Sequence, residues 1–371
     1  RSEMLIVATE DNTEIEVTPS VQTQGGFPAG VPYTINLDQG ECYQIRSNNT
    51  TQDLTGTRVT GTLQSGDCRP FVVFAGAQCA NVPTTCTTCD HLFDQQFPSF
   101  VWGTEYYMPN FESTGVYTYR ILAKDNGTQV SVDGGPLQNI NAGQFIEVND
   151  ETQPRQITSN LPVQVVQYMQ GESCSLNGDP AMLILNAHDQ KISNVTFSTV
   201  ASTVITSHFL NIVVETSDIG TVLLDNVPIA ATNFAPFPTN PATSFARVPV
   251  AQGSHNIFTP NGFTAYLYGM GNAESYAYSL GSYKEIQPIP VDTVVCSDLA
   301  LTLVPPINLF QPEWYAMSDT SQILSTSNSL SLNNPPHNPD VYVVEGFSPV
   351  SGCPDSYSFS VASPGLVGLN I

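Results

Sequence analysis

Positive charge is the scarcest property of this sequence. Lysine and arginine number 10 against 33 aspartates and glutamates, for a formal net charge of −23. A chain so short of cations repels phosphate backbones, which excludes nucleic-acid binding through a basic face and disfavours docking on anionic membrane surfaces. Charge of either sign is sparse at 12% of residues, well below the usual quarter. Thr, Ser, Asn and Gln stand in its place, with 26 Gly and 28 Pro spread along the chain. Long amphipathic helices draw on Glu, Lys, Leu and Ala, so this composition argues against them and for turn-rich β structure. No apolar run approaches the roughly 18 residues of a membrane span, so no direct membrane insertion is expected. The chain starts at Arg1 and stops at Gly368-Leu-Asn-Ile371, which is read as a processed section of something longer.

Cysteine is present in an even number: Cys42, Cys68, Cys79, Cys86, Cys89, Cys174, Cys296 and Cys353. In a Lys-poor, Thr/Asn-rich chain this points to disulfides and an oxidising, extracellular or cell-surface location. The expected pairs are Cys42–Cys68, Cys79–Cys89, Cys86–Cys174 and Cys296–Cys353, the first three among fifteen connectivities open to six cysteines. Cys86-Thr-Thr-Cys89 also has the spacing of a zinc knuckle or a redox pair, but it lacks a clear second ligand pair and a helix start.

Self-similarity organises the first 285 residues. Three segments share an opening: Ala8-Thr-Glu-Asp-Asn-Thr13, Ala123-Lys-Asp-Asn-Gly-Thr128 and Glu215-Thr-Ser-Asp-Ile-Gly-Thr221. In each, a β-rich run meets a polar turn and a second alternating run follows, as a hairpin does. Further on, Gly40, Gly143 and Gly253 each mark a turn before another strand, and apolar runs Pro70 to Gly76, Pro162 to Gly171 and Gly262 to Gly269 close the copies. The chain is therefore expected to be all-β, with tandem sandwich or jelly-roll-like units at 1–98, 99–180 and 181–285 that share sheets. A proline-marked linker precedes a fourth part, 286–371, in which Cys296, Trp314 and Cys353 stand in the order of an Ig-like sandwich.

Phe74-Ala-Gly-Ala-Gln-Cys-Ala-Asn-Val-Pro83, Cys89-Asp-His-Leu-Phe-Asp-Gln-Gln-Phe-Pro98 and Trp102-Gly-Thr104, together with Asp53-Leu-Thr-Gly-Thr57 and Gly178-Asp-Pro180, carry a resemblance. Over about 1–285 the chain resembles the IgGFc-binding protein N-terminal domain family. The remainder resembles Ig-like or PKD-like modules in large surface proteins of Bacteroidota-type bacteria. The family takes its name from animal mucus proteins that bind the Fc part of antibodies. Its bacterial members look like modular surface proteins and adhesins, and it supplies no catalytic set to carry over.

The residues themselves offer few sites. Asp11, Asp125 and Asp218 lie in the three repeated turns and are candidate calcium ligands, although Asx-turns explain them without a metal. No other cofactor is expected. Asp90 and His91 sit side by side as an acid–base pair would, and the family resemblance implies a structural run instead. The paired tyrosines at 106/107, 117/119 and 266/268 read as core before they read as a sugar-stacking platform. No nucleophile elbow, zinc-protease helix or phosphate loop occurs. The chain is thus expected to be a non-catalytic extracellular surface or fibre protein acting in adhesion or scaffolding. The alternative is a carbohydrate- or protein-binding module of a secreted enzyme or adhesin. Expected partners are other protein subunits, including copies of itself in a self-assembled fibre, or surface glycans and glycoproteins.

Overall fold

Period-two alternation of β-branched and apolar residues accounts for the first elements. In β1 (Ser2–Ala8) Met4, Ile6 and Ala8 are buried, and in β2 (Thr13–Thr18) Thr13, Ile15 and Val17 are, since successive side chains of an extended chain leave opposite faces. The computed structural model describes residues 1–61, 69–99, 101–283, 293–294, 301–332, 340–347 and 354–362. Among these every regular element is a strand except two 3-10 turns, Thr216–Thr221 and Ala231–Asn233. The fold is all-β.

Three units follow one plan. The first continues with β3 (Tyr33–Leu37), β4 (Cys42–Arg46), β5 (Arg58–Gly61), β6 (Phe71–Asn81) and β7 (Cys89–Gln95). Its sheets are β4-β1-β6-β7 and β3-β2-β5. The second comprises β8 (Gly103–Met108), β9 (Tyr117–Ala123), β10 (Thr128–Val132), β11 (Gln138–Ile140), β12 (Phe145–Glu151), β13 (Arg155–Met169) and β14 (Ala181–Ile184). Here one strand does the work of β5 and β6: β13 pairs with β8 and β10 over its first part and with β9 and β14 over its second. The third comprises β15 (Ile192–Ser198), β16 (Ile205–Glu215), β17 (Leu223–Leu224), β18 (Val227–Pro228), β19 (Phe234–Pro236), β20 (Thr243–Val250), β21 (Ser254–Gly271) and β22 (Glu274–Ser279). Its long strand, β21, pairs with β15 and β17 and then with β16 and β22. The recurring orders are thus β4-β1-β6-β7, β12-β9-β13-β14 and β20-β16-β21-β22 on one side. On the other they are β3-β2-β5, β11-β10-β13-β8 and β18-β17-β21-β15.

Three details depart from the sequence expectation. The sheet of the second unit runs to Ile184, because β14 hydrogen-bonds to β13 beyond the expected limit at 180. Gly253 falls between β20 and β21, one strand later than Gly40 and Gly143, which precede β4 and β12. The units do not share sheets; they share cores. Tyr266, Tyr268 and Met270 of β21 are fully buried among Met108, Tyr117, Ile121, Val165 and Leu183 of the second unit. Each large apolar side chain so placed contributes about 1.5–3 kcal/mol. Three of them approach the roughly 5–15 kcal/mol that holds a whole domain folded. The second and third units therefore form one body. The tyrosine hydroxyls are satisfied across the same contact: Glu112 N–H donates to Tyr268 at 2.9 Å and Asn186 N–H to Tyr266 at 3.1 Å.

The first unit joins the second through a smaller cluster of Val82, Leu92 and Tyr168 and through a covalent link. Cys86 is bonded to Cys174, and within the first unit Cys79 is bonded to Cys89. Cys42 is exposed and carries no disulfide among the described residues; Cys68, Cys296 and Cys353 lie outside them. In the last part, β23 (Thr293–Val294), β24 (Leu301–Leu303), β25 (Phe310–Ala316), β26 (Leu330–Leu332), β27 (Asp340–Phe347) and β28 (Pro354–Ala362) form the sheets β23-β28-β27-β25 and β24-β26. Their core is built on the fully buried Trp314, which packs on Phe359 and donates its indole N–H to the Ser327 carbonyl at 2.8 Å.

The two described disulfides close loops of very different length, with sequence separations of 10 and 88. Replacing Cys86 and Cys174 together by alanine is expected to cost roughly 5 kcal/mol, against roughly 3 kcal/mol for Cys79 and Cys89. Urea unfolding of the two double variants gives the comparison, and equal losses would contradict it.

Candidate functional site

The repeated turns show what their aspartates do. Thr13, Thr128 and Thr221 each donate a side-chain hydroxyl to the carbonyl three residues earlier, that of Glu10, Asp125 and Asp218, at 2.7, 2.7 and 2.8 Å. In the first unit Asp11 accepts from the Gln39 N–H at 3.0 Å and Asp38 from the Asn12 N–H at 2.9 Å. In the second the same two bonds are made by Asn126 from Ala142 and by Asn141 from Gly127, both at 3.2 Å. The turn that follows is also duplicated: Gly40 and Gly143 donate their N–H to the carbonyls of Ala8 and Ala123 at 2.9 and 3.0 Å. Asn12 and Gly127, at equivalent places, both adopt positive φ (55° and 74°), which Asn and Gly tolerate best. An aspartate in one copy and an asparagine in the next do the same work, so an oxygen acceptor is needed there and a charge is not.

Asp218 differs in context but not in role. It is buried in the first 3-10 turn and accepts from the Asn261 side chain at 2.9 Å. Asp11, Asp125 and Asp218 stand at three separate turns. Among the described residues no three His, Cys, Asp or Glu side chains converge as a metal site would require.

The histidines and tyrosines are taken up by structure. His255 has Asp225 Oδ2 at 2.7 Å from Nδ1 and the Ala251 carbonyl at 2.9 Å from Nε2. Burial opposes charge on this ring, but the two acceptors outweigh it and raise its pKa, which leaves no bare nitrogen to act as a base. His188 and Lys191 both meet Glu215 Oε1, at 3.0 and 2.5 Å. His208 Nδ1 meets the Tyr276 hydroxyl at 2.8 Å. His91 is exposed and stacked on Phe93, and its backbone N–H donates to Asp90 Oδ1 at 2.6 Å; His337 lies outside the described residues. Tyr106, Tyr107, Tyr117, Tyr119, Tyr266 and Tyr268 are all buried and present no face to solvent.

The junction between the first two units carries an ion-pair cluster. Arg120 on β9 reaches Asp53 Oδ2 at 2.6 Å and Glu147 Oε2 at 2.7 Å while lying over the Phe145 ring. Burial alone would raise the Asp53 carboxyl, but Arg120 and the Thr55 donors outweigh it and hold its pKa below the usual value. Three residues on, Gly56 has φ +88°, and a Cβ there would meet the Gly143 carbonyl oxygen at 2.2 Å. The Asp53–Thr57 run thus works as a latch between units.

Asp179, in the Gly178-Asp-Pro180 run, is its counterpart without a cation. It is buried, and its Oδ1 has no hydrogen-bond partner among the described residues. Burial first, and then Asp90, Glu274 and Glu172, push its pKa from 3.8 to about 6. Sequence reading placed these runs in a family without assigning them work, because their partners are far away in the chain. It also passed over the long connection at 19–32, whose length relative to the other copies is a signal that repeat alignment carries.

Comparison with known proteins follows this architecture. The sequence model of the family described as IgGFc binding protein matches residues 1–269. The human IgGFc-binding protein is 27% identical over 176 residues, which is 46% of this chain and 3% of that protein's length. This chain therefore spans a small fraction of that relative. Among solved structures, SGBP-B of the Bacteroides ovatus mixed-linkage glucan utilisation locus, in complex with a mixed-linkage heptasaccharide, aligns over 67% of this chain and 60% of its own, with 12% identity and a TM-score of 0.13. The BSP domain of a biofilm-associated protein aligns over 98% and 91%, with 9% identity and a TM-score of 0.15. At such scores neither likeness bears on this fold.

Two outcomes follow from the geometry. Thr13→Val and Thr128→Val remove a buried hydroxyl bond without changing side-chain shape and are expected to cost about 1–2 kcal/mol each in urea unfolding. No loss in either would show that the turns hold without it. A raised carboxyl pKa in the folded state means that stability is withdrawn as pH climbs from about 4 to about 6, where Asp179 must ionise in place. Asp179→Asn is therefore expected to stabilise the chain by roughly 1–3 kcal/mol at pH 7 and to change nothing at pH 3. Thermal unfolding across that range reads the difference.

Proposed function

This chain belongs to the IgGFc-binding protein family, and we propose that it is a non-catalytic, extracellular display and adhesion module within a longer modular protein. The observation that carries the reading is how the units are joined. Successive sandwiches are held by a shared core, an interunit disulfide and the Arg120–Asp53 latch, so that they present their loops from one continuous frame. A frame of this kind suits holding a partner at a distance under load. Several of its carboxylates and histidines are bonded within turns and junctions, which favours binding over turnover. Disulfides favour an oxidising, extracellular setting. Among the described residues no helix is long and apolar enough to cross a membrane.

The partner class proposed is protein or glycoprotein. Fc binding is in the name of the human relative, and for this chain it is one arm of the test. Beads coated with the chain are drawn under flow over surfaces bearing a mucin-type glycoprotein, immunoglobulin Fc fragment or serum albumin. Retention on glycoprotein or Fc above albumin is expected. Equal passage over all three would overturn the reading.

A further inference from the structure

Because the three units share a frame, what one of them adds can be isolated. The connection after β2 runs from 19 to 32, whereas its counterparts occupy 133–137 between β10 and β11 and 225–226 between β17 and β18. Such hairpin connections need no more than about 2–5 residues, and long ordered loops are where binding groups gather. The added segment is built rather than slack. Buried Thr23 exchanges its N–H and hydroxyl with Phe27 at 3.0 and 3.1 Å, Gly30 donates to the Pro19 carbonyl at 2.7 Å, and Gln24 donates to the Arg46 carbonyl at 2.8 Å. The last of these fastens the loop along β4, the edge of its sheet.

Loop and edge enclose an open groove of about 270 Å³. Phe27 lies flat on Tyr33 with ring centroids 3.6 Å apart, and Tyr43 meets Tyr33 edge-on at 6.5 Å. The exposed amides of Gln24 and Gln44 stand beside them. Arg46 Nε and Gln44 Nε2 both bond to Glu3 Oε2, at 2.9 and 3.1 Å, so the one cation of the groove is balanced.

Aromatic carbon, phenol hydroxyls and planar amides without net charge select among ligands. An anion would face a chain of charge −23 with no unpaired cation to meet it. A purely apolar ligand would strip water from the amides and hydroxyls without replacing it. An added peptide strand would want the edge of β4, and Gln24 together with the Thr23–Ser47 bridge already occupies part of it. A sugar has both an apolar C–H face and a fan of hydroxyls. We propose that this groove binds a neutral hexose unit of a glycan, with the hexose ring against Phe27 and Tyr43 and its hydroxyls on Gln24, Gln44 and the Tyr43 hydroxyl. The proposal deepens the reading of the chain as a binding module and rests on it.

Saturation-transfer NMR of the intact chain with methyl α-mannoside, methyl β-glucoside and methyl β-galactoside tests it. Transfer to the ring protons of at least one glycoside is expected. The double variant Gln24→Ala/Tyr43→Phe, which leaves the Glu3 contacts alone, is expected to weaken binding about tenfold with an unchanged urea midpoint. Silence from all three glycosides would overturn the assignment, as would equal transfer in the double variant. If beads are still retained on glycoprotein while the glycosides stay silent, the assignment of the groove falls and the display reading stands.

Discussion

β13 is hydrogen-bonded over its first part to β8 and β10 and over its second to β9 and β14, and β21 does the same with its own four neighbours. A strand with two successive sets of neighbours joins the two parts of its seven- or eight-stranded sheet and fixes how they sit. It also locks their registers together, because a slip of one residue would turn every inward side chain outward in both parts. The register shifts between Thr158 and Val163 and between Ile192 and Asn194 give these pairings the irregularity at which a strand bends between two faces. The hairpins are attached to this strand, and the turns that join them are reinforced by the same hydrogen bonds in the first and second units.

Against that constraint the economy of charge makes sense. With 10 cations for 33 acids, cations cannot match every carboxylate, and the excess of negative charge keeps the chain dispersed. Several of the few cations sit at contacts between units: Arg120 reaches Asp53 across the first junction, and Arg247 of β20 reaches Glu112 across the second at 2.9 Å. Exposed ion pairs contribute little stability, so the cohesion of the body comes from Tyr266, Tyr268 and Met270 in the shared core, and the arginines set alignment. Asp179 is the place where this arrangement has no cation to give, and it is the least comfortable group at the junction.

Much of the frame could be read from residues adjacent in sequence. Thr13, Thr128 and Thr221 were visible as a repeat because each acts within four residues of its own turn. Gly253 does not align with Gly40 and Gly143: the third unit replaces the tight turn of the others with the 3-10 turn Ala231–Asn233 and β19, so the next glycine along belongs to a different connection. The calcium expectation for Asp11, Asp125 and Asp218 rests on their place in the repeated turns, which does not distinguish a carboxylate that holds a metal from one that holds an amide. Asn126, at the Asp11 position, accepts the equivalent backbone N–H. The Arg120–Asp53 latch and the shared tyrosine core were beyond sequence reading, since they join residues whose separation in the chain carries no periodicity.

The same constraint predicts where variation can accumulate. A change in β13 or β21 moves both parts of its sheet, and a change in the buried tyrosines loosens two units. Lengthening a connection costs little, because loop-closure entropy grows only as the logarithm of length. The segments 19–32, 133–137 and 225–226 differ accordingly, while the strands on either side keep their pairing. In the first unit β7, at one edge of the sheet, packs toward the second unit through Leu92, and β4 occupies the opposite edge. An insertion beside β4 therefore escapes the penalty that one beside β7 would incur, and it gives the chain an edge on which side chains can be arranged for a ligand without disturbing the contacts between units.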